Sequence, residues 1–406
     1  MSDAPAVVIT GIGLMTGLGP DRESTWSAAC AGRSAARWLD VPGFGPVVGC
    51  PVDLPDPGGS RALRLLDLAA VEAWADARLD SAGADPERIA TLIGLSKGCI
   101  DRLSAAHVGL VSGNKGHAAA LWAAAWPDVG ARHVAHRFGL LGPNLAPIAA
   151  CATGLVAVLQ GRDLILRGAC DVALAGSADA SLDPLILGAF RRMKALALAA
   201  ADSDPRILAR PWDRGRRGFV VGEGAAVLVL ERADLARARG VLPYVELAGG
   251  ALGADAYHET DLNPDPTGLA RLITLALARS GVCREEVDHI NVHGTGTRVN
   301  DPLECRAIRR AFGADADRIS CSANKGQIGH ALGAAGSVEL ALTALAMRDG
   351  FIPPTLNLDD PDPACDLDGT PHVGRSRPIR AALKLSIGFG GHLAAAVLKR
   401  PEGPSR

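Results

Sequence analysis

Apolar residues in this chain come in short runs of valine, isoleucine and alanine, separated by stretches with helical spacing. Val7, Val8, Ile9 and Thr10 read as a buried strand closed by Gly11 and Gly13. Residues 24–32 read as a short helix stopping at Gly32, and the Pro- and Gly-rich stretch 41–60 as surface loop. Leu63, Leu66, Ala70 and Trp74 mark a helix over 61–80, and a strand follows over 89–94. The stretch 101–140 predicts helices joined by loops. An apolar run then leads through Cys151 into a helical pattern that ends at Gly168. A strand over 172–175, a polar segment over 202–217, a strand over 225–230 and a charged helical connector over 232–240 follow.

Beyond the connector the pattern recurs. Tyr244 to Leu247, then Gly249 and Gly250, repeat the opening strand and its glycines. The helix 268–280 and strand 287–292 repeat 61–80 and 89–94, with equal spacing from Gly83 to Ile89 and from Gly281 to Val287. The helix 331–348, ended by Gly350, repeats the Cys151 helix, and 383–391 repeats 174–176. Four features in one order predict two similar α/β halves, 1–240 and 241–406, each a mixed sheet with helices on both faces. Such halves stack with the Cys151 helix and its counterpart between the sheets, which places a site at the seam.

Composition narrows the classes. A chain of 406 residues exceeds one ordinary core, and 48% apolar with 21% charged residues describes a soluble globular protein. A net charge of −2 predicts no bulk attraction to nucleic acid. The nine cysteines are scattered and form no C-x-x-C pair, which argues for a reducing compartment, the cytoplasm. The N-terminus lacks a secretory signal pattern, and no apolar window reaches the ~18 residues of a membrane span.

Four stretches carry candidate chemistry. Cys151 sits where a strand or loop turns into a buried helix, where free N–H groups and the helix dipole favour a thiolate. Its small neighbours Ala150, Ala152, Thr153 and Gly154 leave room for a substrate. His293-Gly294-Thr295-Gly296-Thr297 puts an imidazole on a loop beside hydroxyl and N–H donors. Asn324-Lys325-Gly326-Gln327-Ile328-Gly329-His330 opens a helix, where a histidine is disfavoured as a cation and stays neutral. Gly388-Phe389-Gly390-Gly391 lets backbone N–H groups approach a ligand. Each stretch alone also reads as a core thiol, a turn, a cap or a common glycine loop. The Cys and His spacings fit no usual zinc pattern, so no metal is expected.

Together these stretches resemble the β-ketoacyl-acyl carrier protein synthases, elongating condensing enzymes of the thiolase superfamily. The resemblance runs nearly end to end, from the opening VVITGIG through ACATG, Arg210-Pro211-Trp212-Asp213 and Gly218 to Gly224. It continues through HGTGT, the Lys325–His330 stretch, Pro353-Pro354-Thr355-Leu356-Asn357 and GFGG. It implies the duplicated five-layered thiolase fold and a decarboxylative condensation of an acyl thioester with malonyl-acyl carrier protein. In that reading Cys151 carries the acyl group, and His293 and His330 hydrogen-bond the thioester oxygen of the malonyl unit. The Cys151 and Phe389 N–H groups, beside Gly390, form the oxyanion hole, and Phe389 acts as a gate. Lys325 orients the histidines with Asp301 or Glu304, Glu339 is a buried structural carboxylate, and Thr295 and Thr297 hold the pantetheine arm. No cofactor is implied.

The chain departs from the family pattern at Gly326 and Ile328, where hydroxyl residues are usual, and at His392-Leu393 after GFGG. Lys97 stands where small or apolar residues usually bound the acyl pocket. Both fatty-acid synthesis and a specialised polyketide or polyene pathway fit. A non-catalytic subunit resembling chain-length factors is the alternative, weakened by the retained Cys151, His293 and His330. A carrier protein is acidic, so Arg61, Arg64, Lys115, Arg191, Arg192, Lys194 and Arg206 are docking candidates. The resemblance implies a homodimer or a heterodimer with a related subunit, with apolar residues 117–126 suited to burial.

Overall fold

The computed structural model describes residues 6–55, 58–81, 83–113, 126–200 and 202–406. Its strands are β1 (Val7–Thr16), β2 (Arg37–Val41), β3 (Gly45–Cys50), β4 (Ile89–Gly94), β5 (Asn144–Leu145), β6 (Val172–Asp179), β7 (Val221–Gly222) and β8 (Gly224–Arg232). After the connector come β9 (Val245–Ala254), β10 (Val287–Asn291), β11 (Ser320–Ser322), β12 (Phe351–Ile352), β13 (Arg375–Ser376), β14 (Ala381–Gly388) and β15 (His392–Lys399). Ten of them follow the order β11-β10-β14-β15-β9-β1-β8-β6-β4-β5. Read outward from the centre, β1, β8, β6, β4, β5 mirror β9, β15, β14, β10, β11. The repeat seen in the sequence is therefore a repeat of topology. The halves are also hydrogen-bonded to each other, through Val8 opposite Glu246 and Ile9 opposite Val245.

Strand alternation builds the layers, because successive side chains point to opposite faces. On β8, Ala226, Leu228 and Leu230 join the central core with Ala394, Ala396 and Leu398 of β15. Their neighbours Ala225, Val227 and Val229 pack outward with Leu65, Leu66 and Ala69 of the Arg61–Asp76 helix. Ala395 and Val397 pack outward with Ile273 and Ala276 of the Thr267–Ser280 helix. The helices Thr153–Leu166 and Ala335–Asp349 fill the middle. The result is five layers, helix-sheet-helix-sheet-helix.

Several local expectations change. β1 runs through Gly11 and Gly13 instead of ending there, and β9 runs through Gly249 and Gly250. A Cβ at Gly13 would lie 1.8 Å from Ala69 O, and one at Gly249 2.7 Å from Ser280 Cα, so close helix packing requires these glycines. The stretch 41–60 is not simply loop. β3 lies between β2 and β7, with Val47, Val48 and Cys50 buried. His330 does not open the second central helix either; one turn, Lys325–Ile328, precedes it and the helix starts at Ala335. Lys115 and nearly all of 117–126 lie outside the described residues. Among those residues, no helix is long and apolar enough to cross a membrane.

Candidate active site

Cys151 occupies a single 3-10 turn, Ala150–Ala152, ahead of its helix. Ala150 adopts φ +46°, a left-handed conformation unusual for a residue with a Cβ. Thr153 holds the turn: its Oγ1 donates to Ala150 O at 2.7 Å and accepts from Ala149 N at 2.9 Å. Gly388 lies against this turn, where a Cβ would stand 2.5 Å from Ala149 O and 3.2 Å from Cys151 N. That approach brings the Phe389 N–H near the Cys151 sulfur, where it favours the thiolate. Gly390 does not share this task, because its N–H donates to Glu259 O at 2.8 Å.

The thiol does not rest as a thiolate. Burial pushes it up to about 11, against the pull of the Lys97 and Lys325 ammonium groups and the Phe389 N–H. Desolvation outweighs the helix-start effect expected from sequence.

His330 is held like a strand residue. Its N–H donates to Val220 O at 2.7 Å, and Gly222 N donates to its carbonyl at 3.0 Å. The Gly218–Gly224 motif thus builds one wall of the site, and the Phe219 ring meets the imidazole edge-on at 5.1 Å. Leu332 N donates to His330 Nδ1 at 3.3 Å, which assigns the ring proton to Nε2. His293 faces His330 with ring centroids 5.5 Å apart. Burial above all, then the nearby lysines, holds both imidazoles well below the ordinary histidine value, so both are neutral at pH 7.

The backbone around His293 is gripped from two sides. Glu304 accepts the N–H groups of His293 and Gly294, the latter at 2.9 Å. Lys325 donates to the His293 carbonyl and pairs with Glu339 Oε1 at 2.6 Å. The carboxylate partner of Lys325 is therefore Glu339, not Asp301 or Glu304. Those two project from the Asn300–Phe312 helix, where Asp301 accepts Trp212 N at 2.9 Å and Gly296 N at 3.2 Å. Sequence reading missed Lys384, which is fully buried beside Glu339. A lysine inside the apolar strand Ala381–Gly388 was the signal.

Cys151, His293, His330, Thr295, Thr297 and Phe389 line one cavity of about 570 Å³. Lys194, Arg217 and Arg298 stand exposed at its lining, and the last two were not singled out from sequence. Thr295 and Thr297 hydroxyls lie 3.0 Å apart. A larger groove, about 1320 Å³, runs along the β1–β9 seam but holds neither Cys151 nor either histidine.

Lys97 lies outside the cavity lining. It pairs with buried Asp179 at 2.7 Å and donates to Ser96 Oγ at 2.7 Å. Of the docking candidates, Arg61 clamps buried Glu223 at 2.7 Å and also binds Val52 O. Those contacts tie its guanidinium to the fold. Arg206 pairs with Asp204 at 2.8 Å, while Arg191 stacks over the Phe44 ring at 5.7 Å. Arg191, Arg192, Lys194 and Arg206 are exposed and Arg64 is half-buried.

Comparison with known proteins identifies the family. Residues 59–236 match the family model "Beta-ketoacyl synthase, N-terminal domain", and residues 244–359 match "Beta-ketoacyl synthase, C-terminal domain". The tetracenomycin polyketide synthase ketoacyl synthase alpha subunit of Streptomyces glaucescens is 39% identical, over 98% of this chain and 97% of that one. The 3-oxoacyl-[acyl-carrier-protein] synthase 2 of Coxiella burnetii is 34% identical, over 97% and 98%. A type II polyketide ketosynthase, solved with its acyl-carrier protein and bound to the hexaketide, superposes with TM-score 0.93 at 30% identity, covering 98% of this chain and 100% of that one. The ishigamide ketosynthase/chain length factor gives 0.89 at 32% identity, again over 98% and 100%. The chain belongs to the β-ketoacyl synthase family and has its thiolase fold, an acyltransferase that performs the condensing step of fatty-acid or polyketide synthesis.

Proposed function

We propose that Cys151 is the nucleophile of a decarboxylative Claisen condensation whose acyl and malonyl groups both arrive on acyl carrier protein. The single observation that carries this reading is Cys151, with the Phe389 N–H near its sulfur, lining one cavity with two neutral imidazoles. The Cys151 sulfur attacks the acyl thioester carbon; the bond to the carrier's sulfur breaks, and the thiol proton leaves with the released carrier thiol. The Cys151 and Phe389 N–H groups face the oxygen on which charge develops, a contribution of ~3–4 kcal/mol for a well-aimed donor.

Malonyl thioester then enters. Its C2–carboxylate bond breaks, CO2 departs, and the electron pair forms an enolate whose oxygen accepts from His330 Nε2–H and from His293. C2 attacks the acyl carbonyl, and the Cys151 sulfur leaves as a thiolate that takes up a proton from water. Neutral imidazoles suit this step, since a cation would hold the malonyl carboxylate and oppose its departure. Thr295 and Thr297 line the path of the pantetheine arm, and Phe389 gates it.

In this reading residues 1–240 supply the nucleophile and 241–406 the two histidines. Lys97, held by Asp179 outside the cavity lining, sets no limit on acyl length, so fatty-acid elongation and a specialised polyketide or polyene pathway both fit. Lys194, Arg191 and Arg192, with Arg217 and Arg298, form the carrier-facing surface. The exposed Leu141, Leu145 and Ile148 flank edge strand β5, a surface for a second subunit, either a copy of this chain or a related one. Nine unpaired cysteines suit a cytoplasmic setting.

The test measures both half-reactions with acyl- and malonyl-loaded carrier protein. Cys151→Ala is expected to abolish acyl transfer, and Cys151→Gln to retain malonyl decarboxylation. Full condensation by Cys151→Ala would refute the assignment. Gel filtration alone and with a candidate partner separates homodimer from heterodimer.

A further inference from the structure

The central layer buries a second lysine that the roles above do not use. Lys384 is 0% exposed, on the inward face of β14, and lies 2.6 Å from Glu339 Oε2. This contact is a close ion pair whose angle falls outside hydrogen-bond geometry. Glu339 thus bridges two ammonium groups, Lys325 on Oε1 and Lys384 on Oε2. Two ammonium groups and the carboxylate between them, all at most 2% exposed, thus lie behind the imidazoles.

The lysines hold consecutive carbonyls. Lys325 donates to His293 O, whereas Lys384 donates to Val292 O at 3.3 Å and to Leu385 O at 2.6 Å. Through one ammonium, Lys384 ties the chain entering His293 to β14, which leads directly into Gly388 and Phe389. The Ala335–Asp349 helix joins through Glu339. Lys384 is therefore the fixed point shared by the loop that holds the enolate oxygen and the loop that faces Cys151.

We propose that Lys384 is a positioning residue for the decarboxylation half-reaction, fixing His293 against the Phe389 loop. The proposal rests on the condensing mechanism above. Burial does most to keep His293 and His330 uncharged, and the ammonium groups of Lys325 and Lys384 add to it, because like charges disfavour a second cation nearby. The other charged groups facing this cluster are Lys325, Glu339, Glu304 and Lys97. Burial pushes Lys384 itself down to about 8, against the opposing pull of Glu339, so it is charged at neutral pH.

The experiment compares Lys384→Met, Lys384→Gln and Lys384→Arg with the wild type, reading malonyl decarboxylation and acyl transfer separately from pH 5 to 9. Lys384→Met is expected to lower decarboxylation about tenfold more than acyl transfer and to move its acid limb up by about one pH unit. Lys384→Gln keeps an N–H donor without the charge, so it should show the limb shift with a smaller loss. Lys384→Arg should restore the limb. An unchanged ratio and limb in a folded neutral variant would overturn the proposal. So would insoluble neutral variants beside a soluble Lys384→Arg with wild-type ratio and limb, which would leave the lysine a role in stability alone. A wild type inactive in both half-reactions would instead refute the condensing reading itself.

Discussion

Gly154 and Gly336 mark the point where the two central helices touch. A Cβ on Gly154 would lie 2.6 Å from Ser337 N, and a Cβ on Gly336 would lie 2.6 Å from Leu155 N. The relation is reciprocal, as expected of two copies of one motif. Each glycine follows a 3-10 turn that begins at a left-handed residue, Ala150 at φ +46° and Leu332 at φ +44°. Beside this crossing, Ser177 Oγ of β6 lies 2.8 Å from Ser337 Oγ of the second helix. Backbone contact here sets how far Cys151 stands from the His330 side.

Gly154→Ala and Gly336→Ala should each destabilise the protein by about 2 kcal/mol, because backbone cannot yield as a flexible side chain can. Their double variant should fall short of the sum, since either methyl already separates the helices. Denaturant midpoints of the three variants check this; additive losses would show that the crossing does not act as one contact.

A thiol raised to about 11 by burial should be slow to alkylate at neutral pH. Iodoacetamide labelling of Cys151, followed by peptide mass spectrometry, should accelerate roughly tenfold per pH unit between pH 7 and 9. Exposed Cys283 serves as the internal comparison. A plateau below pH 8 would mean that the site holds a thiolate at rest.

Three buried imidazoles should make the fold sensitive to acid. His289 is held down to about 4 by burial, and His293 and His330 lie well below 6.5. Between about pH 4.5 and 6.5 the unfolded chain protonates these three and the folded chain does not. Glu304, raised to about 7 by burial, works the other way by keeping one proton in the fold. Asp301, also raised by burial, reduces the balance further toward the acid end. The remaining balance is one to two protons, so stability is full above the unfolded histidine value and falls by roughly 1–3 kcal/mol per pH unit below it. Urea midpoints at pH 7, 6 and 5 measure the slope, and a flat series would contradict it.

Charge reversals should separate carrier docking from folding. Arg191→Glu and Arg192→Glu are expected to raise the KM for carrier-bound substrate severalfold while sparing turnover of a small thioester. Arg61→Ala should instead cost roughly 2 kcal/mol of stability, because buried Glu223 keeps the Val52 N–H but loses its cationic partner. Equal effects of both on carrier KM would place Arg61 in docking after all.

The order of most strands and helices, the repeat and the residues that meet in the cavity, Cys151, His293 and His330, were legible in the sequence, because apolar periodicity and residue chemistry are local properties. Gly11, Gly13, Gly249 and Gly250 misled because the need for glycine comes from a helix pressing on the strand, and that helix is distant in sequence. The partner of Lys325 misled for the same reason. Asp301 and Glu304 are nearer His293 in the chain, yet the helix that carries Glu339 is the one that passes behind it. Sequence alone singled out a cysteine, two histidines and a lysine as the candidate chemistry. Tertiary structure decided their states: burial made the thiol neutral and kept the imidazoles uncharged, and the central helix placed one carboxylate between two lysines. Desolvation and pairing depend on what surrounds a group in space, and that environment exists only once the halves have closed on each other.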